Sequence, residues 1–339
     1  IFLNIKEGTL IILQSTIPPG TTKNLVYPKL IKILKNRKID TEKVYLAHSY
    51  ERVMPGENYL DSIINYWRVY SGINDKSANK CEEFFKKIIN VKKYPMTRLE
   101  NTNSSELSKV LENSYRAVNI AFIDEWSKFS EEIGVNLYQV IDAIKKRPTH
   151  SNLRYPGFGV GGYCLTKDPL FAKISAKKIF KLNDQNFEFS SKAIKINQNM
   201  PLNSLKKIEN FFNYNLNNTK ILIMGIAYKG GLDDTRFSPS EIFYKKAKSK
   251  GAKLFLNDPF VKKWSEINKK VDQSLISPNK INCIIFCVNH SKYKKINFKK
   301  WINTSNSILI IDAVNVLSEK QKVQISQNMN ITFKTIGVG

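Results

Sequence analysis

The sequence predicts an α/β protein with two doubly wound parallel sheets joined by a central layer of long helices. Three observations carry this expectation. Short apolar runs of strand length alternate with stretches of helical periodicity towards both ends of the 339-residue chain. Between them, from Ser104 to Ile133, apolar residues recur at helical spacing without a break. Turns bearing proline and glycine, Ser15–Thr22 and Tyr50–Gly56, follow the first two strands.

Taken in order, residues 9–14 read as a buried strand, and Lys23 to Lys35 carries helical periodicity. Lys43–His48 and Trp67–Gly72 are further strands. Asp75 to Asn90 is a helix, followed by a short strand near Val91. This alternation implies parallel layering. Ser104-Ser-Glu-Leu is a helix start, and that helix runs through Ile133. Val135–Lys146 follows as a second helix, with two more around Asp168–Ile179 and Phe187–Phe212. A second α/β unit begins at Thr219 with the strand Lys220–Gly225. Ser238-Pro-Ser then opens a helix with proline in its first turn. Strands at 253–257, 282–288 and 308–312 and a helix near Lys299 complete it. The boundaries so defined are 1–98, 99–200 and 201–339. The sequence opens at Ile1 directly into a helix tail and a strand, so the first domain is expected to be incomplete at its N-terminus.

Composition narrows the function. The hydrophobic share of 42% and charged share of 24% are those of a globular chain with real cores. The 54 basic and 29 acidic residues leave a net charge of +25. The lysines are spread along the chain without aromatic-interleaved blocks. That is a dispersed surface charge suited to an anionic substrate rather than a nucleic-acid footprint. Cys81, Cys164, Cys283 and Cys287 have no disulfide-framework or zinc spacing, which fits a reducing, cytoplasmic setting. Cys283 and Cys287 lie four apart in an apolar run, on one strand face, and read as core. No signal peptide and no membrane-length apolar run is apparent. His48, His150 and His290 lack paired ligand spacing, so no metal site is expected.

The chemistry concentrates in Tyr155-Pro-Gly-Phe-Gly-Val-Gly-Gly-Tyr-Cys-Leu-Thr-Lys-Asp168. A cysteine beside a cation loses its proton more readily, and the thiolate attacks carbonyl carbon. The glycines let backbone amides approach a ligand closely. Gly157, Gly159 and Gly162 spell G-x-G-x-x-G, but a dinucleotide fingerprint needs an apolar strand before it. The polar stretch Thr149–Pro156 precedes it, so the loop is read as a covalent-catalysis loop around Cys164.

Several segments together resemble the UDP-glucose/GDP-mannose dehydrogenase family, the nucleotide-sugar 6-dehydrogenases. They are Ser15–Thr22, Glu51-Arg-Val-Met-Pro-Gly56, Glu106-Leu-Ser-Lys-Val-Leu-Glu-Asn113 and the Cys164 loop. Ala227-Tyr-Lys229, Asp233-Asp-Thr-Arg-Phe-Ser-Pro239, Asn257-Asp-Pro-Phe-Val261 and Asp312-Ala-Val-Asn-Val-Leu317 follow in the family's order. Eight such segments in one order are specific and cover nearly the whole chain. The resemblance implies two Rossmann-like domains around a central helical, dimer-forming layer. It also implies NAD-dependent oxidation of a UDP-sugar's C6 alcohol to the carboxylate, with two NAD per turnover.

The resemblance further implies residue roles. Cys164 forms a thiohemiacetal and then a thioester. Lys109 and Asn113, four apart on one helix face, stabilise the oxyanion. Asp168 and Thr16 position water and assist proton transfer, and Glu51 meets the sugar and serves the hydrolysis. Tyr155, Gly157, Phe158, Gly159 and Gly161 cradle the sugar nucleotide; Lys229 touches substrate and Arg147 reaches it across a subunit boundary. Ser15, Thr16, Lys167 and Arg236 face the cofactor. Taken singly, Lys109 is a solvated helix lysine and Asp168 a helix cap. Phe237 stands where many relatives carry Glu, and Val314 where many carry Arg. The family's glycine turn is not in the sequence, so two readings stand. One is a 6-dehydrogenase, intact in a longer form, acting on a UDP-N-acetylhexosamine or UDP-glucose for cell-surface polysaccharide synthesis. The other is a truncated, catalytically impaired nucleotide-sugar-binding remnant.

Overall fold

The computed structural model describes residues 2–54, 56, 58–302 and 306–339. Ile1, at the expected helix tail, and Pro55 of the Glu51–Gly56 segment lie outside the described residues. The chain divides into two compact units: residues 1–115 with 167–191, and residues 116–166 with 192–339.

The first unit holds a sheet ordered β1 (Leu10–Leu13), β2 (Tyr45–His48), β3 (Val69–Gly72) and β4 (Thr97–Arg98). Helix α1 (Tyr27–Asn36) packs Leu30 and Leu34 against Leu46, while α3 (Asp75–Lys86) packs Ala78, Cys81 and Phe85 against Ala47. Leu46 and Ala47 are neighbours in β2, so consecutive side chains serve opposite faces and a helix covers each. The expectation of parallel layering needs one correction: β1 and β2 are parallel, but β3 runs antiparallel to β2, with Ala47 opposite Gly72. The connecting helix α2 (Tyr59–Ile64) has six residues, and six residues rise about 9 Å. Strand β3 starts from the edge where β2 ends, with His48 opposite Ser71. The strand expected near Val91 is a turn, and the ladder resumes only at Thr97.

The central helices are α4 (Thr102–Glu132), α5 (Leu137–Lys145), the short α6 (Cys164–Lys167), α7 (Phe171–Lys178) and α8 (Glu188–Phe211). Helix α4 begins in the first unit and ends in the second. The second unit's sheet is built from β5 (Lys220–Met224), β6 (Lys253–Asn257), β9 (Cys283–Phe286), β10 (Ile308–Asp312) and β11 (Ile331–Thr335), in the order β11-β10-β9-β5-β6 and all parallel. A two-stranded ribbon of β7 (Lys263–Trp264) and β8 (Lys269–Lys270) lies beyond β6 in sequence. Helix α9 (Pro239–Ser249) and α8 cover one face through Phe243, Leu205 and Ile208; α10 (Phe298–Trp301) and α11 (Glu319–Ser326) cover the other through Phe298 and Ile325. Cys283 and Cys287 are buried in the first of these layers, as their spacing implied. Strand β11 and helix α11 were not foreseen: Thr332 and Lys334 break up the apolar run, and α11 has little apolar face.

Candidate active site

In the first unit, α4 carries the polar groups that matter. Lys109 and Asn113 are one turn apart and both buried, at 7% and 0% exposure. The Asn113 amide donates to Asp168 Oδ2 at 2.8 Å, and the Lys167 amine pairs with Asp168 Oδ1 at 2.8 Å. Asn113 Oδ1 is buried without a partner, an acceptor left for a ligand donor. The reading of Lys109 as a solvated lysine therefore does not hold, and Asp168 spends its carboxylate on Asn113 and Lys167 rather than on a helix cap. Lys167, expected from sequence as the cation beside Cys164, has its charge engaged by Asp168 and lies over the Phe171 ring at 4.7 Å.

The loop after β1 is held from α4. Glu106, wholly buried, accepts from the Gly20 amide at 2.6 Å and from the Thr22 amide and hydroxyl at 2.8 and 2.5 Å. Burial pushes its carboxyl above the usual range against the pull of those bonds. Gly20 takes a φ of 89°, which favours glycine, where the chain enters the wide turn Thr21–Val26 ahead of α1. This leaves Ser15 exposed and Thr16 half-buried at the carboxyl end of β1.

Beyond β2, Glu51 Oε2 meets both terminal nitrogens of Arg68 at 3.1 Å, and Arg68 is buried over the Phe85 ring. Arg52 pairs with Glu112 at 3.1 Å. His48 is wholly buried, with Nδ1 2.7 Å from Ser105 Oγ, and burial lowers its pKa to about 4.

In the second unit, Cys164 is exposed, and it alone of the four cysteines is. Burial pushes the Cys81 thiol up to about 12 and raises Cys283 and Cys287 as well. Its loop is rigidly built. Val160 exchanges two hydrogen bonds with the Asn197 side chain, at 2.8 and 2.7 Å, and the Gly162 amide donates to the Arg236 carbonyl at 3.1 Å. A Cβ on Gly161 would stand 2.4 Å from the Phe237 carbonyl oxygen, so only glycine fits. Phe158 is buried, Gly157 and Gly159 are half-buried, and Tyr155 is exposed, stacked on Tyr138 and bonded to Asp142 at 2.5 Å. No strand precedes this segment and α6 has four residues, in accord with setting the dinucleotide fingerprint aside.

Arg236, expected to face a cofactor, forms a fork with Asp234 and lies over the Tyr163 ring at 4.9 Å. Phe237 beside it has a φ of 54°, unusual for a bulky residue. Lys229 is exposed in the loop after β5. That loop is tied down by Asp258, which accepts from the Ile226 and Ala227 amides at 2.7 and 3.0 Å, and by His290, which bonds Asp258 at 3.0 Å and accepts from Gly231 at 3.1 Å. Burial pushes the Asp258 carboxyl up, yet His290 and the amides outweigh it and hold it below the usual range. The loops after β5 and β9 lie where the strand order reverses, the place at which doubly wound sheets take ligands. Arg147 is exposed at the start of the turn Pro148–His150.

Within the first unit the structure thus brings Lys109, Asn113, Asp168 and Lys167 together, with Ser15, Thr16 and Glu51 on the loops that leave β1 and β2. Within the second it gathers the Cys164 loop and Arg236, with Lys229 on the loop after β5. Sequence reasoning assigned no role to Glu106, Tyr50, Arg52, Arg68, Glu112, Asp258 or His290. The burial of Glu106 and Arg68 had no local signal, since charged residues are seldom inside. Among the described residues no cluster of His, Cys, Asp and Glu could hold a metal ion, and no helix is long and apolar enough to cross a membrane.

Hydroxyl side chains at the carboxyl edge of the parallel β1–β2 pair are donors and acceptors of the kind a ribose or carboxamide takes, so Ser15 and Thr16 fit that part of NAD. Comparison with known proteins bears on the same point. The NAD-binding domain model of the UDP-glucose/GDP-mannose dehydrogenase family matches residues 1–89, its central domain 103–199 and its UDP-binding domain 222–319. The chain is 32% identical over 319 residues to a UDP-N-acetyl-D-mannosamine dehydrogenase of Methanocaldococcus jannaschii, covering 93% of this chain and 68% of that protein. It superimposes on the UDP-D-ManNAc dehydrogenase of Pyrococcus horikoshii with a TM-score of 0.80 at 28% identity, over 98% of this chain and 73% of that one. An NDP-N-acetyl-D-galactosaminuronic acid dehydrogenase of Methanosarcina mazei gives a TM-score of 0.82 at 25% identity, over 99% and 71%. An NAD-binding domain ahead of a UDP-binding domain defines an NAD-dependent nucleotide-sugar dehydrogenase. The chain belongs to the UDP-glucose/GDP-mannose dehydrogenase family.

Proposed function

We propose that the protein oxidises the C6 alcohol of UDP-N-acetyl-D-mannosamine to the carboxylate through Cys164, supplying a precursor of cell-surface polysaccharide. The observation that carries this reading is the single exposed thiol at the end of a glycine loop that tolerates no side chain at Gly161. Seven of the similar proteins carry that same substrate in their names. NAD, when bound, supplies the acceptor for both hydrides that leave C6. The chain's own groups do the rest. Loss of the first hydride and the hydroxyl proton turns the alcohol into an aldehyde. The Cys164 sulfur adds to it, the thiol proton ending on the oxygen to give a thiohemiacetal, and loss of a second hydride with the hydroxyl proton leaves a thioester. Water cleaves the thioester to the acid and restores the thiol. Lys109 and Asn113 stabilise the oxyanion. Asp168 and Thr16 order water, and Glu51, pinned by Arg68, orients the sugar. Tyr155, Gly157, Phe158, Gly159, Gly161 and Lys229 hold the nucleotide sugar. Arg147 touches it from a second copy, and Ser15, Thr16, Lys167 and Arg236 face NAD.

Residues 1–98, 99–200 and 201–339 serve as NAD-binding, central and UDP-binding segments. Two copies pair through α4, where Phe122, Trp126 and Phe129 are exposed in a stripe at helical spacing. Four unbridged cysteines suit a cytoplasmic setting. The test is Cys164→Ser against wild type, with UDP-N-acetyl-D-mannosamine, UDP-N-acetyl-D-glucosamine and UDP-glucose as substrates. Acid formation should fall by about 10³-fold or more and be fastest for the mannosamine in wild type. Unchanged acid formation by the variant would refute the cysteine's role, and a preference for UDP-glucose would refute the substrate.

A further inference from the structure

We propose that Asn197 of α8, with Pro201 one turn after it, is a positioning residue for the Cys164 loop: together they make a notch in the helix that fixes where the loop runs. This role rests on the reading of the loop as the cradle of the nucleotide sugar. Residues 155–163 belong to no strand, yet the half-buried Val160 has an N–H and a C=O that need partners. One side chain serves both. The Val160 amide donates to Asn197 Oδ1 at 2.8 Å, and Asn197 Nδ2 donates to the Val160 carbonyl at 2.7 Å. A carboxamide carries an acceptor and a donor in one plane, so it answers a peptide group as a neighbouring strand would. Asn197 is 9% exposed and comes from 37 residues further along the chain. Pro201 lies inside α8 and has no N–H to give the carbonyl four residues back, which is that of Asn197. The loop runs against the turn so opened. A Cβ built on Gly159 would stand 3.2 Å from the Asn197 carbonyl oxygen and 3.5 Å from Met200 Cβ, so the backbone passes the helix at close range. Further along α8, Leu205 and Ile208 are buried in the core of the second unit's sheet, and what the notch holds is thereby held relative to that sheet. A second hold comes from the Arg236 carbonyl, which accepts from the Gly162 amide at 3.1 Å. Val160 is the last residue fixed by α8 before the chain reaches the thiol, so a shift there moves both the cradle and Cys164.

The experiment compares Asn197→Leu and Pro201→Ala with wild type in the full chain. It reads exchange of the Val160 amide hydrogen by mass spectrometry, and steady-state turnover with UDP-N-acetyl-D-mannosamine and NAD. Asn197→Leu keeps the bulk and removes both bonds. It should speed Val160 exchange by about 10²-fold. It should also raise KM for the nucleotide sugar about tenfold and leave KM for NAD within about twofold. A variant that was merely less stable would lose kcat with its folded fraction and keep both KM values. Pro201→Ala returns an N–H to the helix, so its melting temperature should not fall, yet KM for the nucleotide sugar should rise about threefold. Unchanged Val160 exchange in Asn197→Leu would overturn the notch. Faster exchange with wild-type KM values would overturn the positioning role, and wild-type KM in Pro201→Ala would strike out the proline's share. If wild type forms no acid from any of the nucleotide sugars, the reading of the loop fails, and the exchange rate alone decides whether Asn197 fixes it. Should Asn197→Leu fail to melt cooperatively, Asn197→Asp takes its place. It keeps the shape and the acceptor but turns a second oxygen on the Val160 carbonyl, so a raised KM for the nucleotide sugar supports the role and a wild-type KM overturns it.

Discussion

His48 shows how far a single buried side chain can set the response to acid. Its ring is wholly enclosed, and burial lowers its pKa to about 4 from 6.5. Between those values the unfolded chain holds a proton that the folded chain does not, so stability rises with pH across the window and is lost as pH falls through it. Between pH 6.5 and 4, wild type should lose about 3 kcal/mol more than His48→Gln, measured as urea unfolding free energies at the two pH values. Equal losses would show that the ring is not held neutral. His48 itself was visible in the sequence, but its enclosure was not, because the enclosing Ser105 is 57 residues away. The same holds for Asp168 and Asn113, which lie 55 residues apart. Helical spacing placed Lys109 and Asn113 on one face; only the folded chain shows that this face is buried. Cys164 was legible because glycines, thiol and neighbouring charges are contiguous. The lysine expected to activate it was legible only as a neighbour in sequence, and it pairs elsewhere.

At the scale of elements, the strands and long helices follow from apolar periodicity, since each buries a continuous face. The exceptions have local causes. Strand β3 reverses where the alternation of strands and helices alone implied a parallel pair, and β11 and α11 escaped notice because edge elements bury few side chains. The Cys164 loop is under tight steric control at Gly161. Gly161→Ala would drive a methyl to 2.4 Å from the Phe237 carbonyl and 2.8 Å from the Tyr228 Cβ. Neither neighbour is a flexible tip, so the loop must shift. We expect a loss of about 1–3 kcal/mol in stability and at least about 10²-fold in turnover from misplacement of Cys164. Gly157→Ala, with nothing within 4 Å of the added atom, is the control and should be near neutral in a thermal melt. Equal behaviour of the two would remove the steric account.

For the whole molecule, the exposed stripe on α4 is the feature that a lone chain leaves unexplained. Phe122, Trp126 and Phe129 are 50%, 46% and 55% exposed, with one tilted and one edge-packed ring contact among themselves. Exposed aromatic stripes of this kind mark association. On the proposed pairing through α4, Trp126→Glu combined with Phe129→Glu should give a monomer in sedimentation where wild type sediments as a dimer, while the circular-dichroism melt persists. A dimer that survives both charges would place the seam elsewhere.

The order in which the chain visits its two units has a consequence for its birth on the ribosome. The polypeptide leaves the first unit at Tyr115 and returns only at Lys167. The returning segment brings Asp168 to Asn113 and the Ser175 hydroxyl to the Pro19 carbonyl. A nascent chain stalled before that return lacks the pieces that finish what it began, so neither unit is a cassette that can be cut out at one junction. While the intervening stretch is being translated, Asn113 and the Pro19 carbonyl wait without these partners, exposed to chaperones.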